Sequence, residues 1–185
     1  MKKPALVLCL LLAGCAMQEM ETGSETPVGN GIYVTPQPGF AEIHLAAIRY
    51  WTRNGTGLDE LGFYTGIKDG EPLFPIPGMT KKELPSFRSQ MTPNDIAELA
   101  ASALTAKYKQ AARASNLHPC PFGPVTGFCF DLSLTNEEGL EMRGRCLARL
   151  QHGVLDLLMF TAPAEYYFAE VGPSVDRIYS SISIK

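Results

Sequence analysis

The 185-residue chain carries 16 basic and 19 acidic side chains, which give a formal net charge of −3 at pH 7. Because binding to nucleic-acid phosphates requires a basic surface, this balance argues against a nucleic-acid partner. Hydrophobic residues make up 45% of the sequence, and a chain of this length can bury a substantial core.

The first fourteen residues are typical of a secretory signal. Lys2 and Lys3 place positive charge ahead of an apolar run at residues 5–13. That run is about half of the roughly 20 residues that a membrane-spanning helix needs. A charged start, a short apolar core and small residues at its end therefore predict a signal peptide, residues 1–14, that is removed after export.

Residues 12–15 read Leu-Ala-Gly-Cys, and this tetrapeptide resembles the lipobox of bacterial lipoprotein precursors. The resemblance implies that the Cys15 sulfur receives diacylglycerol, that cleavage precedes Cys15, and that the new amine is acylated, so that the protein incorporates palmitate. Several acyl chains, each contributing about 0.8 kcal/mol per buried methylene, make such an anchor permanent. In Gram-negative lipoproteins an aspartate directly after the cysteine favours retention in the inner membrane. Here that position is Ala16, so the resemblance implies the periplasmic face of the outer membrane. The alternative is an ordinary signal peptide with a chance cysteine.

Cleavage before Cys15 leaves a polar segment, residues 15–30, and then residues 31–185. The segment is rich in Glu, Thr, Ser and Gly and cannot bury enough apolar surface to offset its ordering entropy, so it predicts a flexible, lipidated tether. With the two lysines removed, 14 basic residues face 19 acidic ones, a net charge of −5 that argues against docking on anionic lipid head groups. Residues 31–185 are interpreted as a single globular domain.

The first half of this domain contains two turn signals, Asn54-Gly55 and Asp69-Gly70. Both dipeptides favour the positive φ angles of tight hairpin turns. The residues around them predict two or three strands. Residues 73–87 contain three prolines and a glycine, and they predict an ordered loop and not a sheet strand.

A helix is predicted to begin after Thr92, which suits the N-cap position. Pro93 suits the first helical position, and Asp95 completes a capping box. Apolar residues then recur at helical spacing as far as Ala111 and predict a stripe that faces the core. Lys107 interrupts the stripe, and its stem is expected to lie along the edge with the ammonium group in water.

Residues 128–150 predict a hairpin with a definite register. Apolar and polar residues alternate on its first strand, and the Glu-Glu-Gly loop places its glycine in the left-handed position. Phe130 then opposes Cys146 on the apolar face, and Asp131 opposes Arg145 on the other face. A slip of one residue would exchange the faces and set leucines against charged side chains.

The C-terminal part begins with a turn at His152-Gly153, which leads into an apolar strand and places Arg149 opposite Asp156. A short helix is predicted to start near Pro163 and to end at Gly172-Pro173. A second helical stretch, followed by an alternating tail, closes the chain.

Two stretches here, GVLDLLMFTAPAEYYF and VDRIYSSISI, resemble the end of PsbP-like domains in their pattern of apolar positions. The resemblance covers about the last third of the chain and implies an α+β fold, an antiparallel sheet flanked by helices in an α/β/α sandwich. The whole chain also resembles bacterial lipoproteins of similar length. Because a fold does not convey function, no activity is transferred from PsbP.

Candidate catalytic residues are few. His44 lies in a strand-like run, His118 in a Pro-rich loop and His152 in a turn, and none has a metal-ligand partner at short spacing. The sequence contains no phosphate loop, nucleophile elbow or dinucleotide fingerprint. No metal site and no cofactor are therefore expected.

The export route permits disulfide bonds, and three cysteines lie beyond Cys15. Cys129 and Cys146 point to opposite faces of the predicted hairpin, which disfavours a bond between them. Cys120 lies in a loop whose prolines and glycines let it fold back. We predict a Cys120–Cys129 disulfide with Cys146 reduced and buried, and three free thiols are the alternative.

Two further groups have both a structural and a functional interpretation. Asp59 and Glu60 follow a turn and are predicted to be solvated charges. Tyr166, Tyr167 and Phe168 could form an exposed contact patch, but two of the three rings are predicted to pack on the sheet.

The sequence therefore favours a membrane-anchored, non-catalytic envelope lipoprotein that holds or assists an unidentified envelope protein, or contributes to envelope assembly. The alternative is a ligand-binding or hydrolase-type domain. A pocket that joins His44 or His118 to Asp59, Glu60 or another carboxylate would favour this alternative.

Overall fold

The computed structural model describes residues 18–45, 48–136 and 138–185. Within these ranges the chain forms two helices and eleven strands. The helices are α1, Pro93–Tyr108, and α2, Tyr167–Ser180. The strands in chain order are β1 Gln18–Glu19, β2 Thr26–Gly29, β3 Ile32–Val34, β4 Ala41–Leu45, β5 Ile48–Thr52, β6 Glu60–Ile67, β7 Arg113–Phe122, β8 Val125–Thr135, β9 Glu141–Gln151, β10 Val154–Pro163 and β11 Ser183–Ile184.

Eight of these strands form a large antiparallel sheet in the order β1-β4-β5-β6-β10-β9-β8-β7, and three form a small sheet in the order β11-β3-β2. Apolar side chains are buried on both faces of the large sheet. Helix α1 packs on one face, whereas α2 and the small sheet pack on the other. The predicted α+β fold, an antiparallel sheet flanked by helices, is confirmed.

Helix α1 begins where its capping residues predict. The Thr92 hydroxyl accepts a hydrogen bond from the Asp95 backbone N–H at 3.3 Å, and the Asp95 carboxylate accepts one from the Thr92 N–H at 2.8 Å. These bonds satisfy donors that the first turn of a helix leaves without partners. The Lys107 ammonium does not end in water, because it lies 3.2 Å from the Glu60 carboxylate of β6.

The hairpin register predicted for β8 and β9 is confirmed. Phe130 pairs with Cys146, and Asp131 pairs with Arg145. Gly139 in the loop has a φ of 82°, the left-handed conformation that the turn requires. The next turn is confirmed as well, because β10 places Asp156 opposite Arg149 on β9.

The predicted end of the C-terminal helix is wrong, since α2 continues through Gly172-Pro173. A proline in a helix interior costs about 3 kcal/mol. Val171, Val175 and Ile178 are fully buried on the sheet, and each such burial contributes about 1.5–3 kcal/mol. Burial of this face outweighs the proline. The helix also starts later than predicted, because Pro163 is the last residue of β10.

In the first half, Gly70 has a φ of 78°, as a turn at Asp69-Gly70 predicts. Residues 73–87 form the predicted loop, without helix or strand. Asn54-Gly55, however, lies in a seven-residue loop between β5 and β6 and not in a tight two-residue turn. The Asp59 carboxylate holds this loop by accepting 2.8 Å hydrogen bonds from the backbone N–H groups of Arg53 and Asn54.

The predicted tether at residues 15–30 differs from the structure in its described part. Gln18–Glu19 pairs with β4, and Thr26–Gly29 belongs to the small sheet. The physical reason is Val28, which is only 5% exposed because it packs into the apolar cluster beneath α2. Cys15 and the predicted signal peptide lie outside the described residues, so both lipid attachment and cleavage stay predictions.

Candidate functional site

One part of the large sheet carries an open groove on its α2 side, along strands β7, β8 and β9. Three adjoining cavities of about 390, 280 and 430 Å³ follow this surface. Ser133 and Arg143 line both the first and the second cavity, and Asp131 and Arg145 line both the second and the third. The three cavities therefore form one continuous depression, which we call the β7–β9 groove.

A row of two arginines flanks a serine at one end of the groove. Arg113 on β7 pairs with Ser133 on β8, and Ser133 pairs with Arg143 on β9. Paired residues on adjacent antiparallel strands share a face and lie about 5 Å apart, so the two arginine Cα atoms are roughly 10 Å apart. Among the described residues, neither guanidinium has a carboxylate within 4.0 Å, although Glu141 lies on the same strand and face as Arg143.

The middle of the groove holds charges that already have partners. The Asp131 carboxylate accepts a 3.0 Å hydrogen bond from the Asn116 side chain. The Arg145 guanidinium forms an ion pair with Asp176 of α2 and lies 5.4 Å from the centre of the Phe168 ring. Asp131 and Arg145 are opposite each other in register, yet α2 supplies the carboxylate that Arg145 binds.

The far end of the groove has an apolar wall. Cys120 and Cys129 form a disulfide bond across the β7–β8 hairpin, with their Cα atoms 5.8 Å apart. Leu147 and Tyr179 lie beside it. The Tyr179 hydroxyl donates a hydrogen bond to the Arg145 carbonyl at 3.0 Å, and burial raises the pKa of this phenol well above its usual value. Tyr179 therefore acts as a neutral structural donor.

The third cysteine of the domain, Cys146, lies behind the groove on the opposite face of β9. It is a free thiol with no exposed surface. Burial raises its pKa well above the ordinary thiol value, because a thiolate would lose its hydration there. A protonated, enclosed thiol of this kind is unreactive.

The structure corrects the predicted setting of His118, which lies on strand β7 and not in a loop. Pro119 and Pro121 are tolerated because β7 is an edge strand of the large sheet, where alternate residues direct their N–H away from the neighbouring strand. The His118 Nδ1 atom lies 2.7 Å from the Asn116 carbonyl oxygen. This histidine lines the third cavity of the groove together with Asp131 and Asp176, so one pocket does join His118 to carboxylates. Both carboxylates already have partners, since Asp131 accepts a hydrogen bond from Asn116 and Asp176 pairs with Arg145.

The other predicted site residues are dispersed. His44 is an exposed residue of β4 that lies 3.5 Å from Glu42, and His152 occupies the turn between β9 and β10. Asp59 is 1% exposed and caps its own loop, whereas Glu60 pairs with Lys107. The prediction that Asp59 and Glu60 are solvated is therefore wrong, because both carboxylates have specific partners.

The aromatic residues that precede and begin α2 divide as predicted. Tyr167 and Phe168 pack against the buried cluster beneath α2, and Phe168 stacks on Phe160 at 5.5 Å. Tyr166 is 64% exposed. Only one ring is thus left for contact with solvent or a partner.

The described ranges hold neither a ready-made metal site nor a membrane-spanning helix. No set of three His, Cys, Asp or Glu side chains is arranged to hold a metal ion. No helix is both long enough and apolar enough to cross a bilayer.

Sequence reasoning missed the groove as a site, although its register contained part of the signal. The pairing placed Asp131 with Arg145 and Ser133 with Arg143 on one polar face. What the sequence lacked was the position of Arg113, because the proline-rich segment of β7 predicts a loop. The groove can therefore be recognised only once β7 is known to pair with β8 and to place Arg113 beside Ser133.

Comparisons with known proteins support the fold. No family model matches the chain, and no curated protein sequence matches it. Solution coordinates of cyanobacterial PsbP (CyanoP) from Synechocystis sp. PCC 6803 match with a TM-score of 0.58 at 12% identity, over 97% of this chain and 99% of that one.

Two further solved structures match less well. LpqN, which is described as involved in cell envelope biogenesis of Mycobacterium tuberculosis, has a TM-score of 0.47 at 11% identity, over 88% of this chain and 91% of that one. A mutant of the protein Mog1 has a TM-score of 0.49 at 8% identity, over 89% of this chain and 96% of that one. At these identities the comparisons concern architecture, and the match to CyanoP shows that this chain has a PsbP-like fold.

Proposed function

We propose that this protein is an outer-membrane lipoprotein, anchored through Cys15, whose domain binds an extended segment of another envelope protein in the β7–β9 groove. The binding is non-catalytic and serves to hold or assist the partner. The observation that carries the proposal is the row formed by Arg113, Ser133 and Arg143. Its two exposed guanidinium groups have no carboxylate partner in the part of the chain that the structure describes, and they can therefore bind a carboxylate of another protein.

The partner's chemistry follows from the two ends of the groove. A carboxylate above Ser133 can accept hydrogen bonds from the arginine on either side of it. The disulfide wall at Cys129 instead suits an apolar side chain. Cys129 and Ser133 are four residues apart on β8, which corresponds to about 13 Å along the strand. An extended segment that runs along β8 therefore meets both ends when an acidic and an apolar residue are four positions apart.

Anchoring is tested by metabolic labelling with palmitate and membrane fractionation. The wild-type protein should carry the label and sediment with the outer membrane. The Cys15→Ala variant should be unlabelled and should accumulate as precursor or as a soluble form. An unlabelled wild-type protein contradicts the anchor, and labelled protein in the inner membrane contradicts the sorting.

Binding in the groove is tested by placing a photo-crosslinking amino acid at Ser133 in intact cells. One discrete ultraviolet-dependent adduct should form, and mass spectrometry of the adduct should map it to an extended segment with the acidic-to-apolar spacing. The same amino acid at Glu98, on the exposed side of α1, is the matched control and should give no adduct.

The charge requirement is tested in the same cells. Arg113→Glu combined with Arg143→Glu should abolish the Ser133 adduct while membrane localisation is unchanged. Both residues are exposed strand positions, so the variant should fold. An adduct that survives this charge reversal, or that forms equally at Glu98, rules out the groove as the binding site.

A further inference from the structure

The chain is held against the large sheet from Gln18 onward. Gln18 pairs with Glu42 and Glu19 with Ala41 on β4, and the Met20 N–H donates a 2.9 Å hydrogen bond to the Phe40 carbonyl. The Met20 side chain packs against the apolar cluster beneath α2. The first described residues are therefore part of the fold and not a free spacer.

This attachment leaves little chain between the fold and the lipidation site. Cys15 and Gln18 are three residues apart, and three residues span at most about 11 Å when fully extended. If Cys15 carries the lipid, as the proposed function holds, the β1–β4 edge of the large sheet must lie within roughly that distance of the membrane surface.

The β7–β9 groove lies at the opposite edge of the same sheet. Strand β1 is at one edge and β7 is at the other, with six strands between them. Seven inter-strand spacings of about 4.8 Å separate the two edges by roughly 34 Å, or somewhat less in a twisted sheet. The short connection thus keeps the β1–β4 edge near the lipid, and the width of the sheet allows the groove to lie far from it.

We propose that the β1–β4 edge of the domain lies next to the membrane and that the β7–β9 groove faces the periplasm, roughly 30 Å from the lipid surface. The inference rests on the proposed function, and it restricts the possible partners to segments that lie in the aqueous periplasm. A segment embedded in the same membrane leaflet cannot reach the groove in this orientation.

The chemistry of the β1–β4 edge indicates how it meets the membrane. Glu19, Glu21, Glu25 and Glu42 line a cavity at this edge together with His44. Glu42 pairs with Arg49, and Glu25 pairs with Lys185, which leaves an excess of negative charge. Carboxylates do not attract anionic lipids, so proximity at this edge depends on the covalent anchor and not on electrostatic docking.

The orientation is tested with fluorophores on single introduced cysteines in the full lipidated protein. Ser24→Cys is exposed near β1, and Leu117→Cys is exposed on β7. The native cysteines should not react, since Cys120 and Cys129 are joined and Cys146 is buried. The protein is inserted into phosphatidylcholine vesicles that contain a lipid with a nitroxide on its head group.

The nitroxide should quench most of the fluorescence at residue 24 and none at residue 117, because contact quenching does not reach across about 30 Å. Inserting ten Gly-Ser residues after Ala16 should reduce quenching at residue 24, because the fold is then free to leave the surface. Equal quenching at both positions, or no effect of the insertion, overturns the orientation. If mass spectrometry shows that the purified protein carries no lipid, the proposed anchor is wrong instead. Failure of the orientation and failure of the anchor are therefore distinguishable.

Discussion

Asp156 is a buried acidic side chain that joins three parts of the fold. Its carboxylate accepts 2.8 Å hydrogen bonds from the Arg149 guanidinium, the Asn30 amide and the Gly66 backbone N–H. It is 1% exposed and Arg149 is 5% exposed. Asn30 lies in the turn between β2 and β3, so this carboxylate links the small sheet to β9, β10 and β6. The buried Asp156–Arg149 pair therefore has a structural role, because it ties the small sheet to the large one.

Replacing Asp156 by alanine should lower the free energy of unfolding by about 3–5 kcal/mol, because it leaves the Arg149 charge buried without a partner. The matched control is Asp176→Ala, which removes an ion-pair partner at a half-exposed position and should cost at most about 1 kcal/mol. Urea denaturation of the purified proteins measures both. Similar losses for the two variants would show that burial of the pair does not determine its effect.

At the scale of single elements, α1 depends on a capping box whose charge can be titrated. Hydrogen bonds from the backbone N–H and the hydroxyl of Thr92 lower the pKa of Asp95 below its usual 3.8. A carboxyl with a depressed pKa in the folded state stabilises the fold above its unfolded pKa, and it loses that contribution as the pH falls through the folded value.

The Asp95→Asn variant should therefore be less stable than the wild type at pH 7, and the difference should shrink as the pH falls below 3.8. Urea midpoints of both proteins at pH 7, 5 and 3 measure this difference, and the other carboxyls are common to both. Glu98→Gln is the control, since this exposed residue has no capping role and should show no comparable pH dependence. A gap that stays constant down to pH 3 would exclude an ionised cap.

The β7–β8 hairpin carries the disulfide prediction. Peptide mapping of the non-reduced, alkylated protein should recover one Cys120–Cys129 linkage, and Cys146 should react only after denaturation. In the loop-closure model, a bond across nine residues stabilises the fold by about 2–3 kcal/mol, so Cys120→Ser with Cys129→Ser should lower stability by that amount. Recovery of a linkage to Cys146, or of three alkylated cysteines, would contradict the assignment.

For the whole molecule, sequence patterns correctly predicted the elements whose formation depends on neighbouring residues. Alternation along β8 predicted its pairing with β9, and Thr92 predicted the start of α1. Pro173 misled the prediction for α2, because burial of the helix face outweighs the proline and is not visible along the chain. The groove depends on which strands α2 covers and on β7 reaching the sheet edge, and neither follows from sequence periodicity.

The small sheet joins the two ends of the described chain. Strand β11 pairs with β3, and the Lys185 N–H donates a 2.9 Å hydrogen bond to the Gly31 carbonyl. Ile182, just before β11, is 6% exposed, and Ile32 on β3 is completely buried. The C-terminal residues therefore cover part of the N-terminal hairpin and help to hold it on the large sheet.

Deleting residues 182–185 should lower the free energy of unfolding by at least about 2 kcal/mol, since Ile182 loses its burial and β3 loses a neighbour. The small sheet should also open locally, so a protease that cleaves after glutamate should cut faster at Glu25. Lys185→Ala, which keeps β11 and removes an exposed ion pair with Glu25 and a cation–π contact with the Tyr33 ring, is the control and should change this rate much less than the deletion does. If the deletion also left the rate unchanged, β11 would not hold the N-terminal hairpin, and the position of the β1–β4 edge would depend on β1 alone.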